Sequence, residues 1–390
     1  MGESSEETHP DDAKLPARLQ HLTWMQAWYT FPMSTGGLAL LLSPSTQPHT
    51  FQGLEIIAKI VYIFDLVIFT LITCAMLYRF TQQPSLLRES IFHPTEGLFM
   101  PTIFLSLASI IGGTKLYGIP SSGPWLVVAY RVLFWIYFAV TFLVAIGMYY
   151  VLFCHPSLKV DDMTPAWDLP IFPVMLTGTI AAIGASSQPT EQAVPIIVAG
   201  VLSQGLGMIV SVLMYACYIR RMIQFGFPSP TSRPAMFIAV GPPAFTSLAL
   251  IGMAEAWPED ANYFGTDGAS LRVVLLILAT MSSLFIIGAA FWFFFIALLA
   301  TCAVGKELTF HLNWWAFIFP NVGLTISVIR IGNQFGSEGV LWVGSTMTML
   351  LVAAYLFILV MNIKAVLNKE ILFKDKDEDT YIKEGRSKVM

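Results

Sequence analysis

Residues 31–37 read FPMSTGG, and a proline followed by small residues recurs four more times along the chain. The other segments are MPTIFLSLASIIGG at 100–113, FPVMLTGT at 172–179, GPPAFTSL at 241–248 and FPNVGLT at 319–325. Their prolines, about 70 residues apart, each precede a Gly, Ser or Thr by five positions: Pro32, Pro101, Pro173, Pro242 and Pro320. A period of this length indicates one structural unit used five times.

The composition determines the solvent in which these units lie. The 390 residues are 56% hydrophobic and 12% charged, with a mean hydropathy of +0.68. A soluble domain carries about 25% charged residues, so the composition excludes an ordinary soluble enzyme. The low charge also argues against disorder and a coiled coil, and the net charge of −4 argues against a nucleic-acid partner. The chain is therefore predicted to be a polytopic helical protein in a lipid bilayer.

Ten apolar runs are long enough to be membrane spans, since a helix needs about 20 such residues to cross the hydrocarbon core. We predict spans at 24–43, 54–78, 96–114, 124–153, 166–185, 192–218, 234–254, 270–301, 313–331 and 338–366. The fold class is then an all-α membrane protein whose ten helices form five hairpins. The predicted organisation is an N-terminal tail (1–22), one ten-helix transmembrane domain (23–366) and a charged C-terminal tail (367–390).

The orientation follows from the basic residues. If both termini are cytoplasmic, 16 of the 21 Lys and Arg residues lie in the tails and inner loops, as the positive-inside rule expects. The N-terminus has no basic region followed by an apolar run, so the first span is expected to serve as the targeting signal. We predict a multi-pass plasma-membrane protein with both termini in the cytoplasm.

The odd-numbered spans carry the prolines and the small residues. Proline within a helix removes a hydrogen bond and produces a kink, and irregular backbone at membrane depth lies against protein or water. The odd helices are therefore predicted to form an inner pore ring. The even helices, such as FIIGAAFWFFFIALLA at 285–300, would form an outer ring facing lipid. The alternative is that the small residues serve only tight helix packing.

Five basic residues lie inside or at the outer end of predicted spans: Lys59, Lys115, Arg131, Arg272 and Arg330. Such a residue costs about 2.5–3.5 kcal/mol at the bilayer centre, so each requires a reason. Lys115, Arg272 and Arg330 would form a positive collar at the outer face, where arginine can bind a carboxylate through two parallel hydrogen bonds. Alternatively, Lys115 extends to the lipid headgroups and Arg272 does the same or pairs with Asp267.

Asp65 in span 2 and Arg131 in span 4 are expected at similar depths in the membrane. A salt bridge between them is the main prediction, with Lys59 as a rival partner. The alternative for Asp65 is that it carries a proton coupled to transport. Arg131 is also retained as a candidate substrate contact.

Hydroxyl and amide side chains on the odd spans are further candidates for contact with an anion. They donate hydrogen bonds to carboxylate oxygens without the cost of burying a fixed charge. The candidates are Ser34, Thr35, Ser106, Thr177, Thr246, Asn321 and Thr325.

The sequence contains no pattern typical of catalysis or of metal binding. Its six histidines form no HxxxH pair, its four cysteines form no CxxC, and no GxxxxGK[ST] segment occurs. We therefore predict no enzymatic activity, no cofactor and no metal site.

The order of ten spans in five hairpins, with HLTWMQAWYTFPMSTGG at 21–37 and WWAFIFPNVGLT at 314–325, resembles the tellurite-resistance/dicarboxylate transporter family. Within that family the chain is most similar to the fungal malic acid transporters, over nearly all of residues 21–366. The resemblance implies transport of C4-dicarboxylates such as malate, succinate and fumarate through a pore in each protomer, often within a trimer. Whether the protein acts as a channel or as a carrier coupled to protons stays open.

The same resemblance leaves an alternative cargo and implies a gate. A sulfite or inorganic-anion efflux channel of the family is the alternative, although the first span here departs from the TWVMGTG-like stretch of the sulfite branch. The family also implies that an aromatic residue before the span 9 proline plugs the pore. Phe319 occupies that position, and Phe31 and Phe172 occupy the matching positions of spans 1 and 5.

Overall fold

The computed structural model describes residues 27–92, 97–154, 160, 163–305 and 307–371. The regular structure in these ranges is helical, apart from one isolated bridge between Tyr263 and Thr266. We number ten helices, leaving a short connecting helix at Pro84–Phe92 unnumbered: α1 Thr30–Leu42, α2 Leu54–Gln82, α3 Thr102–Gly113, α4 Trp125–Cys154, α5 Phe172–Gly184, α6 Thr190–Phe225, α7 Gly241–Glu255, α8 Gly268–Cys302, α9 Ile318–Phe335 and α10 Glu338–Leu367.

Eight helical segments of the described chain are long and apolar enough to cross a membrane. They are Leu54–Gln82, Gly97–Ser121, Trp125–Cys154, Thr190–Phe225, Pro230–Glu255, Gly268–Cys302, Leu312–Phe335 and Glu338–Leu367. Two further apolar segments, Thr30–Leu42 and Phe172–Ser187, are shorter than a full span. The protein is thus an all-α membrane protein, while the count of ten spans stays a prediction. The predicted tail 1–22 and residues 372–390 lie outside the described residues.

The five repeat prolines lie where α-helices begin. Pro32, Pro173, Pro242 and Pro320 are the second or third residues of α1, α5, α7 and α9, and Pro101 directly precedes α3. The first four N–H groups of a helix have no partner within it, so proline costs no hydrogen bond there. The prolines therefore begin α-helices and do not interrupt them, and a bend of each odd span at its proline stays a prediction.

The irregular backbone lies instead just before each of these helices, in 3₁₀ segments: Ala27–Tyr29, Gly97–Phe99, Pro165–Asp168, Pro230–Val240 and Leu312–Phe317. The tighter 3₁₀ turn is common as a short piece at helix ends. Each odd-numbered unit therefore enters the protein interior as 3₁₀ backbone and continues as an α-helix from its proline onward.

The odd-numbered helices contact one another in a closed ring. Helix α1 packs on α3, α3 on α5, α5 on α7, α7 on α9, and α9 on α1. In the segment that contains α7, 94% of the most apolar 18-residue stretch is buried, and in the segment that contains α9 the buried share is 89%. This burial explains why these helices contain so many small and hydroxyl residues, which allow backbones to approach closely.

The even-numbered helices pack around the outside of this ring. Helix α2 contacts α1, α4 contacts α5, α6 contacts α5 and α7, α8 contacts α7, and α10 contacts α9. In the even-numbered helices, only 17% to 39% of the corresponding 18-residue stretch is buried. The exposed remainder is rich in large apolar side chains, including Phe285, Leu299 and Leu350, which suit contact with lipid chains.

Tyrosines join the two layers at glycines. Tyr130 of α4 donates its hydroxyl to the Ile180 carbonyl of α5 (2.8 Å), and its ring covers Gly184, where an added Cβ would lie 2.1 Å from a ring carbon. Tyr62 of α2 does the same on α3, where it donates to the Ile110 carbonyl (3.0 Å). Glycine is therefore required at the contact because the ring occupies the position of a side chain.

The Gly184→Ala substitution tests this packing. Since Tyr130 is fully buried, the added methyl group should lower the stability by about 1–3 kcal/mol, the usual cost of overpacking. The measurement is thermal unfolding of the purified protein in detergent. Gly147→Ala on α4 is the matched control, because a Cβ there meets nothing within 4 Å. A Gly184→Ala protein that unfolds at or above the wild-type temperature would contradict this account.

Candidate functional site

The inner ring encloses a cavity of about 250 Å³. All five odd-numbered helices contribute to its wall, which is apolar over most of its area and carries the hydroxyls of Ser45, Thr46, Ser109, Thr179 and Ser186. Three charged side chains, Lys115, Glu255 and Arg330, lie near the end where the odd-numbered helices finish. The cavity therefore offers both polar hydrogen-bond donors and charge to a small solute.

Phe319 separates this cavity from a smaller one. Its ring lines the large cavity and also a cavity of about 30 Å³ near the helix beginnings. The ring stacks on Phe245 with centroids 4.8 Å apart, and it fills the space beside Gly37, where a Cβ would lie 2.8 Å from Phe319 Cδ2. The side chain is thus a partition across the interior of the ring, at the position where a gate is predicted.

The other two predicted gate residues are placed differently from each other. Phe172 lines the smaller cavity and packs against Gly241. Phe31 stacks on Trp315 (4.5 Å) and meets Phe64 of α2 edge-on (6.2 Å), so the structure does not bring it beside Phe319.

Phe245 was missed as a neighbour of Phe319. It lies in GPPAFTSL, three residues after the repeat proline, whereas the prediction considered only aromatic residues directly before a proline. An aromatic residue inside a repeat segment was the available signal.

Arg330 and Lys115 lie together in the cavity wall, close enough for the charge of Arg330 to act on the Lys115 ammonium. Arg330 Nη1 donates to Glu255 Oε2, and Gln334 Nε2 donates to the other carboxylate oxygen of Glu255 (2.8 Å). The guanidinium rests on Gly252, where a Cβ would lie 2.5 Å from Nη1.

Glu255 and Gln334 were not identified from the sequence as site residues. Glu255 lies one residue beyond the predicted span 234–254. Their position at the ends of two different helices, α7 and α9, gives no common spacing that a repeat analysis would detect.

Arg272 and Arg131 do not line the cavity. Arg272 forms an ion pair with Glu259 (2.7 Å), and its expected partner Asp267 instead accepts a hydrogen bond from the Ser270 N–H (2.9 Å) as the cap of α8. Hydrogen bonding to the backbone at Ser270 lowers the pKa of Asp267. Arg131 is half-buried on α4.

The predicted Asp65–Arg131 salt bridge is wrong within the described residues, and so is its Lys59 variant. Lys59 pairs with Glu55 one turn earlier (2.7 Å), and no ion pair of Asp65 is formed in this part of the chain. The reason is the helix arrangement: α2 packs on α1 and α3, α4 packs on α3 and α5, and the Asp65 carboxyl lies against Gly36 of α1.

Asp65 is fully buried against α1. A Cβ at Gly36 would lie 2.6 Å from both Asp65 Oδ2 and Ser109 Cβ, and Ser109 is a wall residue of the large cavity. Neither carboxyl oxygen has a hydrogen-bond partner among the described residues. Among the described residues, Tyr62 and Tyr355 are titratable groups close enough to interact electrostatically with Asp65.

The seven predicted hydroxyl and amide contacts lie on the predicted helices but do not line either cavity: Ser34, Thr35, Ser106, Thr177, Thr246, Asn321 and Thr325. Most satisfy neighbouring backbone or side-chain groups. Ser34 donates to the Trp315 carbonyl (3.1 Å) and Ser106 to the Tyr29 carbonyl (2.8 Å). These contacts agree with the alternative that the small residues serve helix packing. The hydroxyl residues that do line the cavity lie on a different face of the same helices or in the loops.

The arrangement is chemically suited to binding a small anion. Within the described part of the chain, no three His, Cys, Asp or Glu side chains come together as metal ligands would. Among the described lining residues, two cations and one carboxylate give the charged end of the cavity a net charge of +1, and hydroxyl groups can donate hydrogen bonds to anionic oxygens.

Comparison with known proteins is consistent with this chemistry. The profile of the SLAC1 family, described as voltage-dependent anion channel, matches residues 21–363. The chain is 35% identical over 370 residues to the malic acid transport protein of Schizosaccharomyces pombe, covering 94% of this chain and 83% of that protein. It is 22% identical to the sulfite efflux pump of Arthroderma benhamiae, covering 88% of this chain and 91% of the pump.

The partition at Phe319 is testable by cysteine labelling. In a protein whose exposed native cysteines Cys74, Cys154, Cys217 and Cys302 are replaced, Met33→Cys places a thiol in the smaller cavity. An impermeant thiol reagent added on the Lys115 side should leave this thiol unlabelled. Adding Phe319→Ala should raise its labelling rate at least tenfold, because the ring no longer separates the cavities.

Leu116→Cys in the wall of the large cavity is the control and should be labelled with or without Phe319. Equal labelling of Met33→Cys in both backgrounds would show that Phe319 is not the barrier.

Proposed function

Because the chain belongs to the voltage-dependent anion channel family, we propose that it transports C4-dicarboxylates, malate foremost, with succinate and fumarate as further substrates. The family resemblance inferred from the sequence is confirmed. The observation that carries the proposal is the cavity inside the helix ring, whose charged end holds Arg330 and Lys115. The relative with 35% identity is named a malic acid transport protein, which supports a dicarboxylate over other anions.

The proposed path runs through the centre of each protomer. All ten helices cross the membrane as five hairpins in this proposal, with both termini in the cytoplasm of a plasma-membrane protein. The closed contacts of the odd-numbered helices and the exposed apolar faces of the even ones support it. A homotrimer is proposed from the family resemblance, with the outer helices meeting lipid or neighbouring protomers.

Within this path the residues have distinct roles. Lys115 attracts and holds a carboxylate at the charged end. Arg330 neutralises Glu255, so that this end of the cavity keeps a positive charge. Ser109 and Thr179 both line the cavity. The Thr179 hydroxyl has no partner among the described residues and serves as the donor, whereas the Ser109 hydroxyl donates to the Leu105 carbonyl (3.4 Å). Phe319 closes the path against Phe245 and Gly37, and Phe172 lines the inner side of that closure. Arg272, Arg131 and Phe31 have no direct contact with substrate in this proposal.

The alternative cargo is sulfite or another inorganic anion. The 22% identity to a sulfite efflux pump extends over nearly the whole chain, so the shared fold suits this chemistry as well. The lower identity and the different first-span motif favour the dicarboxylate.

The direction of transport depends on protons. A dianion is driven out of a negative-inside cell by about 4.6 kcal/mol at 100 mV, twice the value for one charge, so uptake requires protonated substrate or proton coupling. We propose Asp65 as the coupling group. Burying an unpaired carboxylate costs several kcal/mol, and a proton on Asp65 removes that cost.

The flux of labelled malate into liposomes that contain the purified protein tests the function. We expect malate and succinate flux to exceed the flux of sulfite and chloride under the same gradient. Arg330→Gln should reduce malate flux at least tenfold, because it leaves the Glu255 carboxylate without its countercharge and removes the net positive charge of the cavity end. Arg272→Gln removes the same charge outside the cavity and should leave the flux near the wild-type value. Sulfite flux with no malate flux would establish the alternative.

The Asp65→Asn variant tests proton coupling separately. We expect malate uptake by the wild-type protein to rise with external acidity and uptake by the variant to lose this dependence, since the amide cannot bind the proton. Uptake is measured at several external pH values with a fixed malate gradient and membrane potential. Glu55→Gln, an exposed carboxylate on the same helix, is the control and should keep the wild-type profile. An unchanged pH profile in Asp65→Asn would remove Asp65 from the mechanism.

A further inference from the structure

The arginine of the cavity, Arg330, already forms an ion pair with a carboxylate of the protein itself, that of Glu255. Both oxygens of Glu255 are engaged, one by Arg330 Nη1 and the other by Gln334 Nε2 at 2.8 Å. The side chains are partly shielded, with 20% of Arg330 and 34% of Glu255 exposed. Such an arrangement resembles the way in which a bound carboxylate would be held by the same groups.

Lys115 is the other cation at this end of the cavity. It forms no ion pair with an acidic residue in the described part of the chain. Arg330 and Glu255 neutralise each other, so the net charge of +1 among the three lining residues resides on the Lys115 ammonium. An arriving anion therefore meets one uncompensated positive charge.

We propose that Glu255 is a specificity-determining residue that limits the charge of the anion that the cavity retains. Its carboxylate takes the place of a substrate carboxylate on Arg330, so the site captures a dicarboxylate by one end, at Lys115. This inference rests on the proposed function, because it concerns how the same cavity chooses among anions. A site of net charge +1 holds a dianion less firmly than a site with both cations available.

The proposal has a quantitative signature that depends on valence. The electrostatic energy between the site and an anion is proportional to the charge of the anion. Removing the charge of Glu255 therefore adds twice as much binding free energy for a dianion as for a monoanion. If the affinity for a monoanion rises roughly threefold, the affinity for a dianion should rise about tenfold.

The Glu255→Gln variant in liposomes measures this signature. The readout is the half-saturation concentration for chloride and for succinate, at constant ionic strength and potential and at a pH where succinate is a dianion. We expect the value for succinate to fall about tenfold and the value for chloride about threefold. If Glu255 served only to connect α7 with α9, the variant would change the half-saturation concentrations of both anions by the same factor. That result would overturn the proposal.

Glu259→Gln is the matched control. It removes one carboxylate from the same face of the protein and frees Arg272 from its ion pair, but neither residue lines the cavity. Glu255→Asp keeps the negative charge at the site. Both variants should keep the wild-type ratio of the two half-saturation concentrations, and a change in Glu259→Gln equal to that in Glu255→Gln would overturn the proposal.

Lys115→Gln provides an independent test that leaves the Arg330–Glu255 pair in place. It should raise the half-saturation concentration for succinate by the square of the factor for chloride, and equal factors would overturn the proposal. A wild-type protein that carries no dicarboxylate would refute the proposed function instead, and the valence test would then use sulfate as the dianion. The two failures are therefore distinguishable.

Discussion

Hydrogen bonding of the backbone without water is the constraint on which the rest of this structure depends. In the hydrocarbon core an unsatisfied N–H or C=O group costs several kcal/mol, so each departure from the α-helix must be accommodated by the protein. The repeat prolines meet this constraint by lying at helix starts, where no N–H partner is lost. Side-chain hydroxyls also satisfy backbone groups: those of Tyr130, Ser34 and Ser106 donate hydrogen bonds to carbonyls of adjacent segments.

Close packing of the inner ring follows from the same constraint. Short helices with Gly, Ser and Thr can approach until aromatic side chains fill the space that side chains would otherwise occupy, as Tyr130 does at Gly184 and Phe319 does at Gly37. The ring then encloses a cavity whose polar groups come from few positions. Charge is concentrated at one end, where Arg330, Glu255 and Lys115 share the wall. In the proposed function, selectivity depends on the one positive charge that the Arg330–Glu255 pair leaves uncompensated.

The sequence predicted the positions of the helices better than it predicted which side of each helix lines the cavity. Hydropathy located all ten helices to within several residues at each end, because the need for long apolar runs in lipid is strong and local. The repeat placed the prolines on the odd-numbered units, and Arg330, Lys115 and Phe319 were identified as site candidates. Ser106 was selected on α3, whereas Ser109, three residues later, reaches the cavity. Successive residues of a helix are separated by 100° of rotation, and one sequence does not report which face points inward.

The sequence by itself therefore determined the membrane class, the helical content, the fivefold repeat and the family, since these depend on composition and order along the chain. Only the tertiary structure decided that no cation of the described residues pairs with Asp65, that Phe245 stacks on Phe319, and that Glu255 pairs with Arg330. Those pairings join residues from different helices. Their geometry depends on how each helix is rotated and how closely it approaches its neighbours, and that is set by packing across the whole ring.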